Sequence, residues 1–476
     1  MTTTAPVATA TPEKLTASQL TTIVVLAAST FFALVSELVM GVALPTIMTD
    51  FGVTASTAQW LTTGYALTLA VIIPTTGYLL RRFRIRSVFV VSMSLFSIGT
   101  AIAAAAPTFE VLLTARVVQA LGTAVLLPLL MTTTFGMVAP AKRAQMMATI
   151  TAVVSLAPAV APAFAGFVLA QLDWRWLFIT VLPLAILGLI FGALKIPSLN
   201  EPKRAPFDLL SLVLAAIGFG AVVFGLSAAG EGAPGEIPAS FWIAVPLGIL
   251  GVGAFVVRQR RLQNDGTPMM DMRIFTRRGF SVSILQFVFL VSNSFGLAVL
   301  LPLVLQNAFG LGVFETGLFM APGGVVIILT SLLVGKLYNR LGARALMLSG
   351  AVIVVAGWAA MRTFDQTTPV WVVLATFLIL TIGQCLSWVA LFTLALDSLP
   401  DDLHAHGSAA LNTMHQLAGA AGLAILVSVF TLNSPGNTPA AVAAGGQAAF
   451  TAGAVIALCS LIVSFFAPRR QRVDHG

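Results

Sequence analysis

The stretch ALVSELVMGVALPTIMTD, residues 33 to 50, places one carboxylate inside an otherwise apolar run. Between Lys14 and Asp50 the only charged side chain is that of Glu37. The run begins near Thr22 and is long enough to cross a bilayer as a helix, which takes about 20 residues. A carboxylate at this depth is costly, so its presence calls for a functional explanation.

The composition extends this interpretation to the whole chain. Of the 476 residues, 58% are apolar and only 9% are charged, and the mean hydropathy is +0.98. A soluble domain carries about 25% charged residues. Long uncharged runs recur, whereas membrane β-barrels alternate over about 10 residues, so we predict an all-α membrane protein. The net charge of +8 lies in loops between the apolar runs, which indicates a topology signal and not a nucleic-acid surface.

Fourteen segments have the length and composition of membrane spans. They are residues 21–49, 57–79, 87–106, 109–137, 143–171, 175–195, 208–229, 241–257, 280–305, 313–335, 345–361, 370–398, 405–431 and 448–467. An even number places both termini on one side. If that side is the cytoplasm, 22 of the 25 Lys and Arg residues lie there, while Arg175 and Arg362 lie outside and Arg116 lies within a span.

The two halves of the chain contain a repeat. GYLLRRFRIR at 77–86 follows the second span and GKLYNRLGAR at 335–344 follows the tenth, an offset of 258 residues. The repeat predicts a six-helix bundle at 21–200 and another at 280–467. Between them we expect an inserted hairpin at 207–257, peripheral to any transport path, and a cytoplasmic linker at 258–279. The segments 1–20 and 468–476 are predicted cytoplasmic tails. Duplicated halves are typical of alternating access, with a site where the halves meet.

Several motifs resemble those of a known family. The motifs are, in chain order, SELVMGVALPTIM, GYLLRRFRIRS, ARVVQALGTA, SLAPAVAPAFAG, LDWRWLF and HGSAALNTMHQLAGAAG. Together they resemble the major facilitator superfamily in its fourteen-span drug:proton antiporter branch, which includes lincomycin-resistance and quaternary-ammonium exporters. The loop after the second span departs from the family pattern, because Arg81 stands where the family has an aspartate and Arg84 replaces its second glycine. In the second copy of this loop, Asn339 stands at the aspartate position.

The resemblance implies a major facilitator fold and proton-coupled export of small hydrophobic or cationic molecules. It also implies a multi-pass protein of the bacterial cytoplasmic membrane, which we expect to work as a monomer in the lipid bilayer with protons as its coupling ion. The loop residues to which it assigns gating are Gly77, Arg82, Gly335, Arg340, Gly342 and Arg344.

Glu37 and Arg116 are the two clear charges inside predicted spans. At 1.5 Å per residue they lie about 18 Å and about 12 Å from the outer ends of their spans, so a direct or water-bridged pair is feasible. Burial favours the neutral form of a carboxylic acid and a nearby cation favours the ionised form, so we predict that the pair couples proton binding to transport. The alternatives are a permanently neutral Glu37 in a packing hydrogen bond and an Arg116 that only bonds helix-end carbonyls.

The fifth predicted span carries Pro158 and Pro162 at i and i+4. Each proline removes a backbone hydrogen bond, so we expect a bend with a gating role, the alternative being a tolerated kink. Gly166 and the neighbouring alanines Ala157, Ala161 and Ala165 are expected to allow close packing against another helix.

Six polar or amphipathic residues in the C-terminal spans are candidates for substrate contacts. They are Asn293, Gln384, Trp388, Asn412, His415 and Gln416. For each of them the alternative is a hydrogen bond in helix packing. The sequence shows no phosphate-binding glycine loop, metal-ligand cluster or nucleophile constellation, so we predict no enzyme activity, no cofactor and no metal.

The expected function is therefore proton-driven export of hydrophobic or cationic amphipathic compounds. Two alternatives remain open at this point. The exported compound could be a lipid or an endogenous metabolite, and the chain could be a transporter-like membrane sensor that moves nothing, although such a sensor needs no intramembrane carboxylate.

The charge distribution gives a test of topology. A cysteine introduced at Ala233 should react with an impermeant thiol reagent from outside intact cells, and one at Asn264 should react only after the membrane is opened. Reaction of both positions from the same side would contradict the fourteen-span arrangement.

Overall fold

The computed structural model describes residues 16–154, 156–197, 208–231, 238–264, 268–365, 367–434 and 438–468. Within these ranges the chain is helical and contains no β-strand. The helices are α1 Ala17–Phe51, α2 Ala55–Ile72, α3 Thr76–Arg82, α4 Ile85–Ala104, α5 Phe109–Met137, α6 Pro140–Val154, α7 Ala157–Leu169, α8 Trp176–Lys195, α9 Leu209–Ala215, α10 Ala221–Glu231, α11 Ala239–Asn264, α12 Arg278–Asn307, α13 Val313–Leu341, α14 Ala343–Met361, α15 Val370–Asp397, α16 His404–Leu432 and α17 Pro439–Ser464.

Helix neighbours repeat between the two halves. In the N-terminal bundle, α4 packs against α5 and α8, and α1 packs against α5, α7 and α8. In the C-terminal bundle, α14 packs against α15 and α17, and α12 packs against α15, α16 and α17. The sequence repeat is therefore also a structural repeat, with α1 corresponding to α12 and α5 to α15.

Thirteen helices in the described residues are long and apolar enough to cross a membrane. The second span is α2 and α3 joined by a 3₁₀ turn at Ile73–Thr75, and the seventh is α9 and α10 joined by a π-helical turn at Ala216–Gly220. The difference from fourteen lies at the fifth predicted span, which consists of the two shorter helices α6 and α7. The break falls just before Pro158, because proline has no N–H to donate and its ring clashes with the carbonyl of Val154.

One glycine contact is repeated in the two bundles. Gly122 of α5 lies against the backbone of Ser92 in α4, and Gly383 of α15 lies against the backbone of Gly350 in α14. A β-carbon at either glycine would overlap the neighbouring helix. Small residues at such crossings let two membrane helices approach closely.

The two bundles touch at the ends that the basic loops assign to the cytoplasm. Gly77 of α3 lies directly against the ring and backbone of His406 in α16. At the equivalent position of the other bundle, Gly335 of α13 lies against Ala148 in α6. Both glycines are needed for this contact, since a β-carbon at either would overlap the partner helix.

Polar contacts join the bundles on the same side. Arg143 at the start of α6 forms an ion pair of 3.0 Å with Asp397 at the end of α15. The Ser408 hydroxyl in α16 donates to the Pro128 carbonyl in α5 at 3.4 Å. The bundles are thus closed towards the side that the basic loops assign to the cytoplasm.

The inserted helices α9 to α11 pack alongside both bundles, because α10 contacts α2 of one and α16 of the other. Next to the first residue of α9 the hairpin is held by a bidentate ion pair, in which Arg258 donates to both carboxylate oxygens of Asp208, each at 2.7 Å. The Ser211 hydroxyl also donates to Asp208. The Arg258 hydrogen bond lowers the pKa of Asp208 to about 2.

The Asp208 carboxylate should stabilise the hairpin at neutral pH. Because its folded-state pKa is lowered, this contribution is present above its usual value of 3.8 and is lost as the pH falls towards about 2. Asp208→Asn should lower the thermal melting temperature in detergent at pH 7, and the difference from wild type should shrink below about pH 4. Asp365→Asn, whose carboxylate accepts from Thr367 and Thr368 of its own loop, should cause a smaller change. Equal melting temperatures of wild type and Asp208→Asn at pH 7 would contradict this assignment.

Candidate proton and substrate site

Arg116 of α5 is fully buried in the N-terminal bundle. Its Nη1 donates to the Ser36 carbonyl of α1 at 3.2 Å and to the Gln119 side-chain oxygen at 3.0 Å. Its Nε donates to the Leu61 carbonyl of α2 at 3.4 Å. Among the described residues its Nη2 has no hydrogen-bond partner. Arg116 therefore joins three helices and retains one unused donor group.

Tyr65 of α2 covers one face of this guanidinium. The Arg116 Cζ lies 4.1 Å from the centre of the Tyr65 ring, which is cation–π geometry. The ring is held in place because the Tyr65 hydroxyl donates to Thr123 of α5 at 2.7 Å. Gln119 is fixed in turn by donating to Thr100 of α4 at 2.8 Å. The position of Arg116 is thus determined by a buried polar network from four helices.

Glu37 follows Ser36 on α1 and lies near Arg116, close enough for the two charges to interact electrostatically. The described residues contain no ion pair between them within 4.0 Å. Glu37 is half-buried, whereas the adjacent Ser36 is 1% exposed. The carboxylate is therefore accessible while Arg116 is occupied by other partners in this conformation. The carbonyls that Arg116 binds, of Ser36 and Leu61, lie within α1 and α2 and not at helix ends, so these bonds differ from those of the structural alternative.

The C-terminal bundle carries an aromatic cluster at its centre. Trp388 and Phe392 of α15, Phe287 of α12 and His415 of α16 have ring centres 5.0 to 6.0 Å apart in five pairs. Phe295 extends the cluster, with its ring centre 5.3 Å from that of His415. Trp388 and His415 are half-buried, so the cluster presents an accessible aromatic surface.

Two of the predicted substrate contacts lie beside this surface. Gln384 is one helical turn before Trp388, and its Nε2 is buried without a hydrogen-bond partner among the described residues. Gln416 follows His415 and is half-buried. Of the six candidates, Trp388 and His415 are in contact, with ring centres 5.8 Å apart, and Gln384 lies on the same face of α15 as Trp388.

The other two candidates, Asn293 and Asn412, have hydrogen-bond partners inside the bundle. Asn293 is fully buried and faces α17, where its amide can donate to the Gly453 carbonyl at 3.2 Å and accept from the Ala457 N–H at 3.3 Å. Asn412 is 4% exposed and donates to the Ser408 carbonyl of its own helix at 2.9 Å. Both satisfy their polar groups inside the bundle, as the packing alternative supposed.

The predicted gating residues occupy helix ends and crossings. Arg82 ends α3, Arg340 lies in the last turn of α13, and Arg344 lies in the first turn of α14. Gly342 ends α13 with a φ of 80°, a left-handed conformation that favours glycine.

In the fifth predicted span, Ala157, Ala161 and Ala165 are buried in one apolar cluster with residues of α1. Pro158, Pro162 and Gly166 are exposed. A β-carbon at Gly166 would meet no atom within 4 Å, so the alanines and not Gly166 provide the close packing expected there.

Sequence reasoning did not find Tyr65, and it noted Gln119 only as part of a motif. A tyrosine within an apolar span is a weak indication of a functional site, since its ring can pack against any apolar neighbour. Its partner here, Arg116, is also 51 residues away in the sequence. The sequence pattern also gave no role to Asp397, which pairs with Arg143 across the bundles. The described residues contain no group of three or more His, Cys, Asp or Glu side chains placed to hold a metal ion.

Two structurally related helical bundles, with charged and aromatic groups buried inside apolar spans, define a multi-pass transporter fold. The chain matches the family model of the Major Facilitator Superfamily over residues 26–208 and 208–423, and it belongs to this family.

Within this family, the chain is similar to two relatives by sequence and to one solved structure by fold. The chain is 36% identical over 457 residues to the lincomycin resistance protein LmrB of Bacillus subtilis (strain 168), covering 94% of this chain and 95% of that protein. It is 28% identical over 424 residues to the multidrug resistance protein B homolog of Mycobacterium tuberculosis (strain CDC 1551 / Oshkosh), covering 88% and 78%. The crystal structure of the human organic anion transporter MFSD10 (TETRAN) superposes with a TM-score of 0.65 at 16% identity, covering 94% of this chain and 99% of that one, and supports the fold alone.

Proposed function

We propose that this protein is a multidrug exporter that uses inward proton flow to expel hydrophobic or cationic amphipathic compounds. The relatives named for lincomycin and multidrug resistance support the substrate class. The observation that carries the coupling proposal is Glu37, an accessible intramembrane carboxylate beside an Arg116 that is already occupied. The closed cytoplasmic side supports assigning this conformation to the outward-facing stage of transport.

In this stage Glu37 takes up a proton from the outside. Its neutral form can then be enclosed at lower cost when the bundles rearrange, since burying a carboxylate is expensive and burying a carboxylic acid much less so. On the cytoplasmic side the proton leaves and substrate enters. A cationic substrate competes with the proton for this carboxylate, whereas a neutral substrate needs an indirect route through Arg116 or the break at Pro158.

The aromatic cluster is the proposed substrate surface. Ring faces attract organic cations and stack on flat apolar molecules, so Trp388, His415 and Phe295 suit both proposed classes of compound. Gln384 adds one unused donor for orientation. The described residues of the cluster are mainly aromatic, so a sugar-like substrate would find few hydrogen-bond partners on this surface.

Export of a lipid or an endogenous metabolite is compatible with the same surface and differs only in the compound carried. A non-transporting sensor would not need an intramembrane carboxylate such as Glu37. Counterflow of a labelled compound in proteoliposomes distinguishes the sensor from both exporters, and a resistance screen in a strain without its own exporters distinguishes the compound classes.

Glu37→Gln should bind neutral substrates with affinity within about threefold of wild type, because the amide resembles the protonated acid in shape. It should lose pH-driven uphill transport. The measurement is proton release when substrate is added to detergent-solubilised protein, together with uptake against a gradient in liposomes. Glu37→Asp is the control and should retain part of both. A glutamine variant that releases as many protons as wild type and still concentrates substrate would exclude Glu37 as the coupling site.

Tyr65 should keep Arg116 away from Glu37. Tyr65→Leu removes the ring, so Arg116 is free to pair with the carboxylate and favour its ionised form. The pH at which transport is half-maximal should then fall by about half a unit or more. Tyr65→Phe keeps the ring and loses only the bond to Thr123, so it should shift the profile less. Suppose that Glu37→Gln has lost coupling but that wild type and Tyr65→Leu give identical pH profiles of transport. That result would reject the role of Tyr65 and leave the role of Glu37 standing.

A further inference from the structure

The segment Pro268–Ile274, which we name the clamp segment, runs across the cytoplasmic side after the hairpin. Gln259 of α11 binds it through one oxygen, which accepts from the backbone N–H groups of Met269 at 2.8 Å and Met270 at 3.1 Å. The Gln259 amide nitrogen donates to Ser211 of α9 at 2.7 Å. Since Gln259 is fully buried, it ties both helices of the hairpin to the clamp segment.

Asp271 anchors the segment a second time. It is 1% exposed and accepts from Gln263 of α11 at 2.7 Å and from the Arg273 side chain at 2.6 Å. Burial alone would raise the pKa of Asp271, but the hydrogen bonds from Arg273 and Gln263 outweigh it and hold the pKa below its usual value. Four apolar side chains of the segment are buried in the same cluster as the bundle residues Phe280 and Leu403, namely those of Met269, Met270, Met272 and Ile274.

The clamp segment also reaches both bundles. Arg81 of α3 donates through Nη2 to the Pro268 carbonyl at 2.9 Å. His406 of α16 lies beside the Met269 backbone on one side and Gly77 on the other. One short segment therefore contacts the hairpin, the N-terminal bundle and the C-terminal bundle where the bundles meet.

The closed side contains a polar group that closure leaves unsatisfied. The Nε of Arg81 is buried without a hydrogen-bond partner among the described residues, and the ring of His406 is fully buried beside the Met269 backbone. Buried groups without partners are costly, and water would satisfy them once the bundles separated. Closure must therefore be stabilised by other contacts at this place.

We propose that the clamp segment holds the cytoplasmic side closed and that the inserted hairpin is its support. Arg81 stands where similar loops have an aspartate for an ionic latch, and here it bonds the clamp segment instead. Opening towards the cytoplasm requires the Arg81 to Pro268 bond to break and His406 to leave Gly77. The hairpin thus acts on the conformational equilibrium through Gln259, although it lies beside the bundles.

The experiment measures the distance between the bundles in the absence of substrate. Spin labels are attached at Arg84→Cys and Leu341→Cys, two exposed positions at the cytoplasmic ends of opposite bundles, in a chain with Cys385→Ser and Cys459→Ser. Pulsed dipolar spectroscopy then gives the populations of short and long distances. Gln259→Leu should raise the long-distance fraction about threefold or more, because three hydrogen bonds are lost at once.

The matched control is Arg260→Leu, which places the same side chain one residue further along at an exposed position and should leave the distribution unchanged. Arg81→Met is the second test variant and should also increase the long-distance fraction. If Gln259→Leu does not fold, the Arg81→Met result decides the question. Distributions like wild type in the folded test variants would overturn the clamp. The readout involves neither substrate nor protons, so that result would leave the proposed export function standing.

Discussion

Arg116 has to find every partner inside the protein, because hydrocarbon offers no water to a buried guanidinium. Its bonds to Ser36, Leu61 and Gln119 and the ring of Tyr65 draw α1, α2 and α5 around one point. This requirement orders the interior of the N-terminal bundle. It also explains how Glu37 can stay accessible without an ion pair, since the nearby cation is already satisfied in large part by neutral groups.

The two bundles share a backbone plan and differ in their chemistry. Aligning Gly122 with Gly383 places Phe377 opposite Arg116, and Phe377 packs against Phe319 of α13 with ring centres 6.3 Å apart. The equivalent position thus holds a ring in one bundle and a charge in the other. A repeat of helix crossings needs only small residues at the contacts, so polar residues elsewhere are free to diverge. The buried charge lies in the N-terminal half and the aromatic surface in the C-terminal half.

The cytoplasmic closure combines shape with specific bonds. Glycines at equivalent crossings, Gly77 and Gly335, let the bundles approach, and the pair of Arg143 with Asp397 adds charge complementarity. The inserted hairpin contacts α2 and α16 and extends into a segment that touches both bundles. An insertion between two repeats lies at their junction by topology, so it is well placed to bias how they meet.

The amino-acid sequence by itself determined the all-helical membrane class and the repeat, and it singled out Glu37 and Arg116 as charges inside apolar spans. These features are local, since hydropathy over about 20 residues and a lone charge within it need no knowledge of neighbours. Only the tertiary structure decided that Tyr65 covers Arg116, that Asn293 faces α17 and that the fifth predicted span is two helices at Pro158. The reason is that successive helical residues turn by about 100°, so the surroundings of a side chain depend on how distant helices are rotated and packed.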